Sequence, residues 1–459
     1  MSIRFGTEGF RGVIARDFTF SEITRLAEAY GRFLLQKEGE RVLVGYDTRF
    51  LAKQFAESVA SHLASMGLEV HLLQGPVPTP LLSFGVRHME AQGGVMVTAS
   101  HNPPEYLGIK FKDAWGGPIT PEEAKAIESL LPDGDGVLPR NGTYHTLDLK
   151  EAYFEALADL VDVGILSRFQ GVLYHDSMGG AGAGFLSGFL RHMGIPVDVR
   201  PLREEAHPLF HGVNPEPIPK NLKVTMDALV DARPPSFAVA TDGDADRVGV
   251  VLPGGRFFNP HQVLCVLARY RFAKGLRGRV AKNFAVTWLL DRLGERLGFA
   301  VTTTPVGFKW IKEEFLKGDV FLGGEESGGV GIPEHLPERD GILASLLLLE
   351  SVAATGKDLE EQFLEVEALV GLTHAYDRLD LPIQKPLDSA KLLDPKPLLG
   401  LSPVGVETLD GVKWIYPEGW VLFRASGTEP IVRIYAEATE FQLVHGLLKE
   451  AQEILLEEI

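Results

Sequence analysis

The sequence predicts three α/β domains with mixed sheets, followed by a smaller α+β domain. Its 459 residues are too many for a single hydrophobic core, and length alone suggests about three domains. Short apolar strands alternate with helical patterns over most of the chain, which is typical of layers with largely parallel strands. After Gly356 the pattern changes, because several strands precede one long helix. We place the domains at residues 1–140, 141–250, 251–365 and 366–459.

The first predicted domain rests on three apolar strands that alternate with three helical patterns. The strands are Arg41–Tyr46, Leu68–Leu73 and Gly94–Thr98, and the helices lie near Ile23–Gln36, Leu51–Met66 and Leu81–Met89. The stretch from Leu131 to Gly142 is rich in proline, glycine and aspartate and interrupts this pattern. Because these residue types favour turns, the stretch predicts a linker.

The alternation continues through the second and third predicted domains. The second has strands Gly171–Tyr174 and Phe237–Ala240 with a helix ending at Met193, and the third has strands near Val280–Asn283 and Val301–Thr304 with a helix at Phe308–Leu316. The fourth has strands near Trp414–Tyr416, Trp420–Arg424 and Val432–Glu437, then the helix Phe441–Leu456. Strands grouped ahead of a single helix predict the α+β class for the last domain.

Composition and charge exclude several classes of protein. Hydrophobic residues make up 45% and charged residues 23% of the chain, as in ordinary globular proteins. The net charge of −17 argues against nucleic acid as a partner, because polyanions repel each other. The most apolar stretch, Ile342–Leu349, is far shorter than the roughly 20 residues of a membrane span. We therefore expect neither a nucleic acid nor a membrane as a partner.

Two features predict a cytoplasmic protein. Met1–Gly12 has no basic start followed by an apolar run, so we expect no secretory signal. Cys265 is the only cysteine and lies in an apolar run, so it has no partner for an intrachain disulfide. A chain without disulfides fits a reducing compartment.

The first loop with chemical potential is Thr98–Pro104, directly after an apolar strand. Two prolines prevent a helix from continuing, so the loop can present Ser100 to a cleft. His101 is its neighbour, and Lys110 could supply a donor or an acid/base group nearby. An ordinary Ser/Asn turn is the alternative interpretation of this loop.

The second loop, Asp242–Arg247, carries aspartates at alternate positions after another strand. Asp242, Asp244 and Asp246 can converge on one hard cation, and three such ligands leave room for a phosphate oxygen on Mg²⁺. A calcium hand is excluded, because its required glycine and glutamate positions hold Arg247 and Pro253. A solvated acidic turn is the alternative.

Two further loops have polar groups suited to a phosphosugar. The glycine-rich loop Gly323–Gly329 surrounds Glu325 and Ser327, whose oxygens can bond sugar hydroxyls. The loop Arg424–Pro430, with Arg433 beyond it, offers arginine and backbone N–H groups to an anion. A third run, Gly180–Gly184, imitates a dinucleotide fingerprint, but its spacing differs from G-x-G-x-x-G and favours tight packing instead.

Together, these loops in this order resemble the α-D-phosphohexomutase superfamily over nearly the whole chain. Phe5–Gly12 and Asn214–Pro217 with Asn221 and Leu222 are similar to further segments of that family. The resemblance implies four domains in a heart-shaped molecule, with one loop from each facing a central cleft. It implies a phosphohexomutase that interconverts hexose 1-phosphate and hexose 6-phosphate, with Mg²⁺ as cofactor and a hexose 1,6-bisphosphate as intermediate.

The resemblance also assigns roles to individual residues. Ser100 would be the phosphoserine and, with Asp242, Asp244 and Asp246, would hold Mg²⁺. Glu325 and Ser327 would hold sugar hydroxyls, and Lys309 would contact either the phosphate or the sugar. The phosphate that does not react would be held by Arg424, Ser426, Gly427, Thr428 and Arg433. Lys110 is the first acid/base candidate, Arg11 and His101 are the second, and Arg247 lies near the phosphoserine.

The same resemblance favours glucose as the sugar. Mannose-accepting members commonly have histidine at the position of Gly329, and glucosamine-specific members usually have glutamine at that of Glu326. The segment Thr304–Trp310 is also similar to glucomutases. A phosphomannomutase or dual-specificity enzyme is therefore second, and a phosphoglucosamine mutase third. A metal-dependent phosphatase and a non-catalytic phosphosugar-binding protein are alternatives from other classes.

Overall fold

Four β-sheets follow one another along the chain, in a computed structural model that describes residues 9–132, 140–383, 387–426 and 431–458. Three of the sheets are mixed and flanked by helices, and the last is antiparallel. This confirms the predicted class of three α/β domains and a smaller C-terminal domain. The heart-shaped arrangement stays a prediction. Within the described residues, no helix is both long and apolar enough to cross a membrane.

The first sheet has the strand order β1-β5-β4-β2-β3-β6. Its elements are β1 (Gly9–Val13), α1 (Phe20–Gln36), β2 (Arg41–Tyr46), α2 (Ala52–Ser65), β3 (Glu69–Leu73), α3 (Thr79–His88), β4 (Gly93–Val97), β5 (Tyr106–Lys112), α4 (Pro121–Ser129) and β6 (His145–Leu147). Strands β4, β2, β3 and β6 are parallel, whereas at one edge β5 pairs antiparallel with β4 and β1 pairs antiparallel with β5. Strand β4 is buried along its whole length, as expected where helices cover both faces.

The second sheet has the order β11-β10-β9-β7-β8. Its elements are α5 (Lys150–Ala158), α6 (Val163–Leu166), β7 (Val172–Asp176), α7 (Phe185–His192), β8 (Asp198–Leu202), α8 (Lys223–Ala228), β9 (Phe237–Thr241), β10 (Val248–Leu252) and β11 (Arg256–Phe258), with short 3₁₀ turns at Phe210–Gly212 and Pro219–Asn221. Strand β6 joins the first sheet beyond residue 140, and β10 and β11 extend the second beyond residue 250. Both sheets therefore continue past the boundaries predicted from the sequence.

The third sheet has the order β13-β12-β14-β15. Its elements are α9 (Pro260–Ala273), β12 (Arg279–Asn283), α10 (Leu289–Leu297), β13 (Ala300–Thr304), α11 (Phe308–Lys317), β14 (Val320–Gly324), β15 (Val330–Gly331), α12 (Gly341–Thr355) and α13 (Leu359–Val370). Helix α12 starts where Asp340 Oδ1 accepts the N–H groups of Ile342 and Leu343, both at 2.9 Å. It is buried on every side through Val352, which explains its uniformly apolar sequence.

The fourth sheet, in the order β16-β20-β19-β18-β17, is antiparallel throughout. Its elements are β16 (Ala375–Pro382), a 3₁₀ turn at Ser389–Leu392, β17 (Gly405–Glu407), β18 (Val412–Tyr416), β19 (Gly419–Ala425), β20 (Ile431–Ala438) and α14 (Phe441–Glu458). Helix α14 packs on this sheet and closes a separate hydrophobic core.

The apolar side chains divide into cores that do not follow the sheets one by one. The largest cluster joins one face of the first sheet, through Leu43 and Leu82, to the second and third sheets and to helix α12. The other face of the first sheet packs against α1 and α2 in a cluster of its own. Between the third and fourth domains lies a small cluster that contains Phe284, Trp420 and Tyr435.

The candidate loops lie at the carboxyl ends of buried strands. The serine loop follows β4, the aspartate loop follows β9, and the glycine-rich loop follows β14. Ligands of open α/β sheets bind at this end of the strands. The fourth loop connects β19 to β20.

Candidate active site

Ser100 lies in a strained turn that directs its hydroxyl at the aspartate loop. Its φ is +51°, a left-handed conformation that residues with a Cβ seldom adopt. The Ser100 N–H donates to Thr98 Oγ1 at 2.8 Å, which helps to hold this turn. The Ser100 Oγ lies 2.8 Å from Asp242 Oδ2 and 3.4 Å from His101 Nδ1. The serine hydroxyl is therefore buried against a carboxylate from a different domain.

The three aspartates converge as the sequence predicts. Asp242, Asp244 and Asp246 are fully buried, and one carboxylate oxygen from each lies within 4.8 Å of the others. Lys110 Nζ donates to Asp244 Oδ2 at 2.7 Å and to Asp246 Oδ2 at 2.8 Å. Asp244 Oδ2 also accepts the hydroxyl of Thr79 at 2.6 Å. The arrangement concentrates negative charge beside the serine and balances part of it with an ammonium group.

The pKa values of the aspartates are pushed apart. Burial, followed by the charges of Asp246 and Asp244, raises the pKa of Asp242 well above its ordinary value. Burial also opposes ionisation of Asp244, but the charge and hydrogen bonds of Lys110 outweigh it and lower the pKa. The pKa of Asp246 is lowered despite burial, because Arg339 and Lys110 place positive charge beside it.

The cluster has unused metal-ligand capacity. Asp244 Oδ1 and Asp246 Oδ1 are buried and have no hydrogen-bond partner within the described part of the chain. Leaving such oxygens unpaired costs free energy, and carboxylate oxygens are the ligands that hard divalent cations prefer. The residues present therefore fit a metal ion of this type. This fit, and the burial of the cluster, argue against a solvated acidic turn.

The remaining candidates near Ser100 surround it with positive charge. Lys110 is buried on β5, and the exposed Arg11 donates to Asn102 Oδ1 at 2.6 Å. Arg247 is half-buried, with Nε 3.8 Å from Asp246 Oδ1. Burial lowers the pKa of His101 well below its ordinary value, and the nearby arginine charges act in the same direction, that of Arg433 included. The lowered pKa keeps His101 neutral near pH 7 and makes its ring a weaker base than an ordinary histidine.

The glycine-rich loop contacts the aspartate loop directly. The N–H of Val248 donates to Gly328 O at 3.0 Å, and Arg247 forms a β-bridge with Gly329. Glu325 is buried and accepts the N–H of Gly307 at 3.2 Å, while Ser327 is half-buried beside it.

Glu326 of that loop and Lys309 of helix α11 have defined contacts as well. Glu326 accepts from Asn283 Nδ2 at 2.6 Å and lies 3.5 Å from the Tyr435 hydroxyl of the fourth domain. Lys309 is half-buried, with Nζ 5.3 Å from the centre of the Trp310 ring. Lys309 belongs to a segment that the sequence linked to the sugar.

The predicted phosphate loop carries two arginines on neighbouring strands. Arg424 and Arg433 face each other in the register of β19 and β20. Arg424 Nε donates at 3.0 Å to Asp410 Oδ2, which also accepts the N–H of Val306 at 2.8 Å. Ser426 N–H donates to Ile431 O at 2.9 Å. The predicted residues Gly427 and Thr428 lie outside the described residues.

Several contacts within the candidate site come from residues that the sequence did not predict. Arg339 joins two loops, since it lies 3.0 Å from Asp246 Oδ2 and 3.3 Å from Glu325 Oε2. Thr79 reaches Asp244 from α3. Asp47 and Arg49 follow β2 and hold the serine loop. The signal for these last two was a run of polar residues at the carboxyl end of a buried strand. No comparable local signal marks Thr79, because its partner is 165 residues away.

The glycine run of the second domain serves close packing. A Cβ on Gly180 would lie 2.8 Å from Gly243 O, and the N–H of Ala181 donates to that oxygen at 2.9 Å. The run therefore supports the aspartate loop, as the tight-packing interpretation requires.

A second buried cluster lies between the third and fourth domains. Nitrogens of His261 and His374 and a carboxylate oxygen of Glu437 lie within 4.8 Å of one another. Glu437 Oε1 accepts from His374 Nδ1 at 3.0 Å and from the Thr287 hydroxyl. Its Oε2 accepts Trp288 N–H at 3.2 Å and Trp420 Nε1–H at 2.7 Å. The carboxylate is therefore fully hydrogen-bonded by protein groups.

Comparison with known proteins agrees with this architecture. The four phosphoglucomutase/phosphomannomutase domain families match in order: α/β/α domain I at residues 2–136, domain II at 151–255, domain III at 259–368 and the C-terminal domain at 378–454. A phosphoglucomutase/phosphomannomutase of Thermococcus kodakarensis is 33% identical over 441 residues, covering 95% of this chain and 94% of the relative. A phosphoglucosamine mutase of Limosilactobacillus reuteri is 32% identical, covering 99% and 98%.

A solved structure is more similar still. A Thermus thermophilus protein, described as a candidate phosphomannomutase, superposes with a TM-score of 0.93 at 71% identity and covers 99% of both chains. The fold and these matches define a phosphohexomutase, an isomerase that transfers a phosphoryl group within one substrate. The chain belongs to the phosphoglucomutase/phosphomannomutase family of the α-D-phosphohexomutase superfamily.

Proposed function

We propose that this protein moves a phosphoryl group between C1 and C6 of a hexose through a phosphoserine at Ser100, with glucose as the preferred sugar. The observation that carries the proposal is the buried Ser100 Oγ, 2.8 Å from Asp242 in a carboxylate cluster that also holds Lys110. A hydroxyl fixed against a candidate cation site suits covalent phosphoryl transfer, in which positioning and charge supply most of the rate.

The reaction has two halves that use the same serine. First, the phosphoryl group on Ser100 moves to the unoccupied hydroxyl of a hexose monophosphate, so the bond to Oγ breaks and a bond to the sugar oxygen forms. The sugar hydroxyl gives its proton to a base, and Oγ takes up a proton. The product is a hexose 1,6-bisphosphate. After it turns around, its other phosphoryl group returns to Ser100 and the isomeric monophosphate leaves.

Lys110 is the first candidate for the proton transfers, because its ammonium lies among the aspartates next to Ser100. Arg11 and His101 are the second candidates. His101 has the geometry for a direct role, with Nδ1 3.4 Å from Ser100 Oγ. Arg247 adds positive charge beside the same group.

Mg²⁺ is the proposed cofactor, held by Asp242, Asp244, Asp246 and an oxygen of the group on Ser100. When bound, this ion supplies charge that offsets the negative phosphoryl group. The two unpaired aspartate oxygens support this assignment. A phosphate monoester is otherwise very inert, so the surrounding Lys and Arg side chains also contribute electrostatically.

The fourth domain is proposed to hold the phosphate that does not react. Arg424 and Arg433 lie side by side and can each form charge-assisted bonds to phosphate oxygens, with Ser426, Gly427 and Thr428 completing the site. Because the bisphosphate turns around between the two halves, this one site must accept a phosphate from either end of the sugar.

Glu325, Ser327 and Lys309 are the proposed sugar contacts. The sequence features around Glu326 and Gly329 support glucose. Glucosamine is the second candidate, because several relatives at 30–32% identity are named phosphoglucosamine mutases. Mannose is the third sugar to test. We also propose a cytoplasmic location and a small phosphosugar as the physiological partner.

A product assay tests the reaction class. The protein is incubated with glucose 1-phosphate, glucose 1,6-bisphosphate and Mg²⁺, and glucose 6-phosphate and inorganic phosphate are measured together. A mutase forms glucose 6-phosphate without releasing phosphate, a phosphatase releases phosphate, and a binding protein does neither. The variant Ser100→Ala is the control, and near-normal turnover by the folded variant would contradict the phosphoserine.

A competition between sugars tests the preference. Values of kcat/KM are compared for the 1-phosphates of glucose, mannose and glucosamine, and we expect the largest value for glucose. A larger value for glucosamine or mannose would assign the enzyme to the corresponding branch.

In a separate test, Arg424→Ala should raise KM and increase the requirement for added bisphosphate, because the intermediate escapes more often. Unchanged values of both would remove the fourth domain from the phosphate site.

A further inference from the structure

A buried arginine holds the backbone of the serine loop from behind. Arg49 follows β2, which lies next to β4 in the first sheet, so both strands deliver their loops to the same edge. The Arg49 side chain is 0% exposed and pairs with Asp47, whose side chain is also 0% exposed. Burying a charge pair costs desolvation free energy unless its donors and acceptors are hydrogen-bonded, so the bonds that Arg49 makes indicate what it stabilises.

Arg49 uses all the donors that a guanidinium has, which number five. Nε donates to Asp47 Oδ2 at 3.1 Å. The other four bonds go to backbone carbonyls of the serine loop: Ser100 O at 2.7 Å, Asn102 O at 2.7 Å, Pro103 O at 2.8 Å and Tyr106 O at 2.9 Å. One side chain thus fixes the path of the backbone from residue 100 to residue 106.

Asp47 holds the same loop by a second route. Its Oδ2 accepts the hydroxyl of Thr98 at 2.6 Å, and Thr98 Oγ1 in turn accepts the Ser100 N–H at 2.8 Å. Both backbone groups of Ser100 are therefore bound through this pair, its carbonyl by Arg49 and its N–H by Thr98. These bonds offset the strain of the positive φ at Ser100.

The bound carbonyl is also the point where the serine loop touches the aspartate loop. A Cβ on Gly243 would lie 2.4 Å from Ser100 O, so the two backbones are in close contact there. The Arg49 guanidinium lies 4.7 Å from the centre of the Phe210 ring, which packs beside Gly243. A shift of Arg49 would change the separation of the two loops.

We propose that Arg49 is a positioning residue, which together with Asp47 sets the strained turn that keeps Ser100 Oγ within reach of the aspartate cluster. Its role in catalysis rests on the phosphoserine mechanism proposed above, whereas its hold on the loop does not. Lysine cannot replace it, because an ammonium has three donors and no planar fork with which to reach four carbonyls.

The test compares Arg49→Lys with a matched control, Arg203→Lys. Arg203 also forms a mostly buried pair with an aspartate, Asp176, and also contacts a backbone carbonyl, that of Asn221, but away from the serine loop. Both variants keep the charge and lose the guanidinium. Measurements are kcat and KM with glucose 1-phosphate, the thermal midpoint, and hydrogen–deuterium exchange of peptides from residues 98–112.

We expect Arg49→Lys to lower kcat by about 10²-fold, as misplacement of a reacting group by about 1 Å can do. KM should stay within about twofold, because the phosphate site in the fourth domain is untouched. Exchange in residues 98–112 should rise only in Arg49→Lys, even if both variants lose similar thermal stability. The inference is overturned if kcat and loop exchange change no more than in Arg203→Lys.

A second variant covers the case in which Arg49→Lys does not fold. Thr98→Val keeps the shape of the side chain but removes both the acceptor for the Ser100 N–H and the donor to Asp47. It should therefore raise loop exchange and lower kcat by at least about tenfold, the scale of one such hydrogen bond. No change in either measurement would contradict the proposal. If the unmodified enzyme turns over none of the three hexose phosphates, the proposed function fails and the exchange comparison alone decides the role of Arg49.

Discussion

Among the described residues, two clusters bring three possible metal-ligand side chains within 4.8 Å of one another, but their hydrogen bonding differs. In the aspartate cluster, two carboxylate oxygens have no hydrogen-bond partner among the described residues. In the second cluster, both oxygens of Glu437 accept two hydrogen bonds each from protein donors. Proximity of ligand atoms is thus a weaker criterion for a metal site than unused lone pairs.

The two clusters also differ in the number of their carboxylates and in the charged side chains beside them. Three aspartates share Lys110, Arg247 and Arg339, whereas the single Glu437 is paired with His374. Lys413 adds positive charge near Glu437, and its Nζ lies 4.4 Å from the centre of the Trp420 ring. The first cluster still offers two unpaired carboxylate oxygens to an additional cation, whereas both oxygens of Glu437 are already bonded by protein donors. The first is a candidate catalytic centre, and the second fastens two domains together.

The largest expected effect is a loss of kcat when the aspartate cluster is changed, with no such loss when Glu437 is changed. Asp244→Asn removes one charged metal ligand and should lower kcat by about 10³-fold, the scale seen when one group that stabilises the transition state is lost. A Mg²⁺ titration of the initial rate should also show weaker binding. The control is Glu437→Gln, which should keep its kcat and its Mg²⁺ dependence. Equal losses in both variants would break the distinction.

The next effect is on the free energy of unfolding, and it is expected at the second cluster, that of Glu437. Glu437→Gln replaces an acceptor that serves four donors, so buried N–H groups and His374 lose charge-assisted bonds. We expect the free energy of unfolding to fall by about 3 kcal/mol, within the range for breaking a buried pair. Urea denaturation followed by circular dichroism measures it. A loss below about 1 kcal/mol would show that this carboxylate does not fasten the interface.

Metal binding should stabilise the protein through the first cluster alone. At a Mg²⁺ concentration of about 100 times Kd, binding to the folded state contributes about 2.7 kcal/mol. The thermal midpoint should therefore rise with Mg²⁺ in the unmodified protein and in Glu437→Gln, but much less in Asp244→Asn.

Ca²⁺ serves as a comparison ion in the activity assay. Full activity with Ca²⁺ and none with Mg²⁺ would contradict the proposed cofactor.

The last expected effect concerns acid stability and amounts to at most about 1.4 kcal/mol for each pH unit. Burial disfavours ionisation of Glu437, but the hydrogen bond and charge of His374 hold its pKa at about 2, compared with 4.5 for an ordinary glutamate. A depressed carboxyl pKa contributes stability above pH 4.5 that is lost as the pH falls toward 2. Over that interval the unmodified protein should lose up to about 1.4 kcal/mol per pH unit more than Glu437→Gln. Parallel pH profiles of the two proteins would contradict this.

The sequence predicts those parts of the site that are local in the chain. Ser100 and the three aspartates each lie in a short loop after an apolar strand, and this local pattern makes them candidates, whereas their roles come from the resemblance to the family. Arg339 reaches the aspartates only because helix α12 begins beside them. Such long-range contacts depend on how the domains pack, and no periodicity in the chain encodes them.

The fold shows the same limit at its edges. Strand β5 follows the serine loop and pairs with β4 and β1, but it is not among the strands that the sequence predicts, because lysines interrupt its apolar residues. Strand β6 has only three residues and is largely exposed, so it lacks the apolar alternation that identifies a strand. The central strands were predicted to within a few residues because burial on both faces imposes continuous apolar runs.

The distribution of the cores has a consequence for how the chain folds during synthesis. The first domain emerges first, but the apolar cluster that includes its helix α3 is completed by residues of the second and third domains. The outer apolar side chains of α3 therefore stay exposed until those domains have been synthesised, so the nascent first domain needs protection from aggregation. The fourth domain has its own core and emerges last. It can fold as a unit and then dock through Trp420 and Tyr435 onto a body that is already complete.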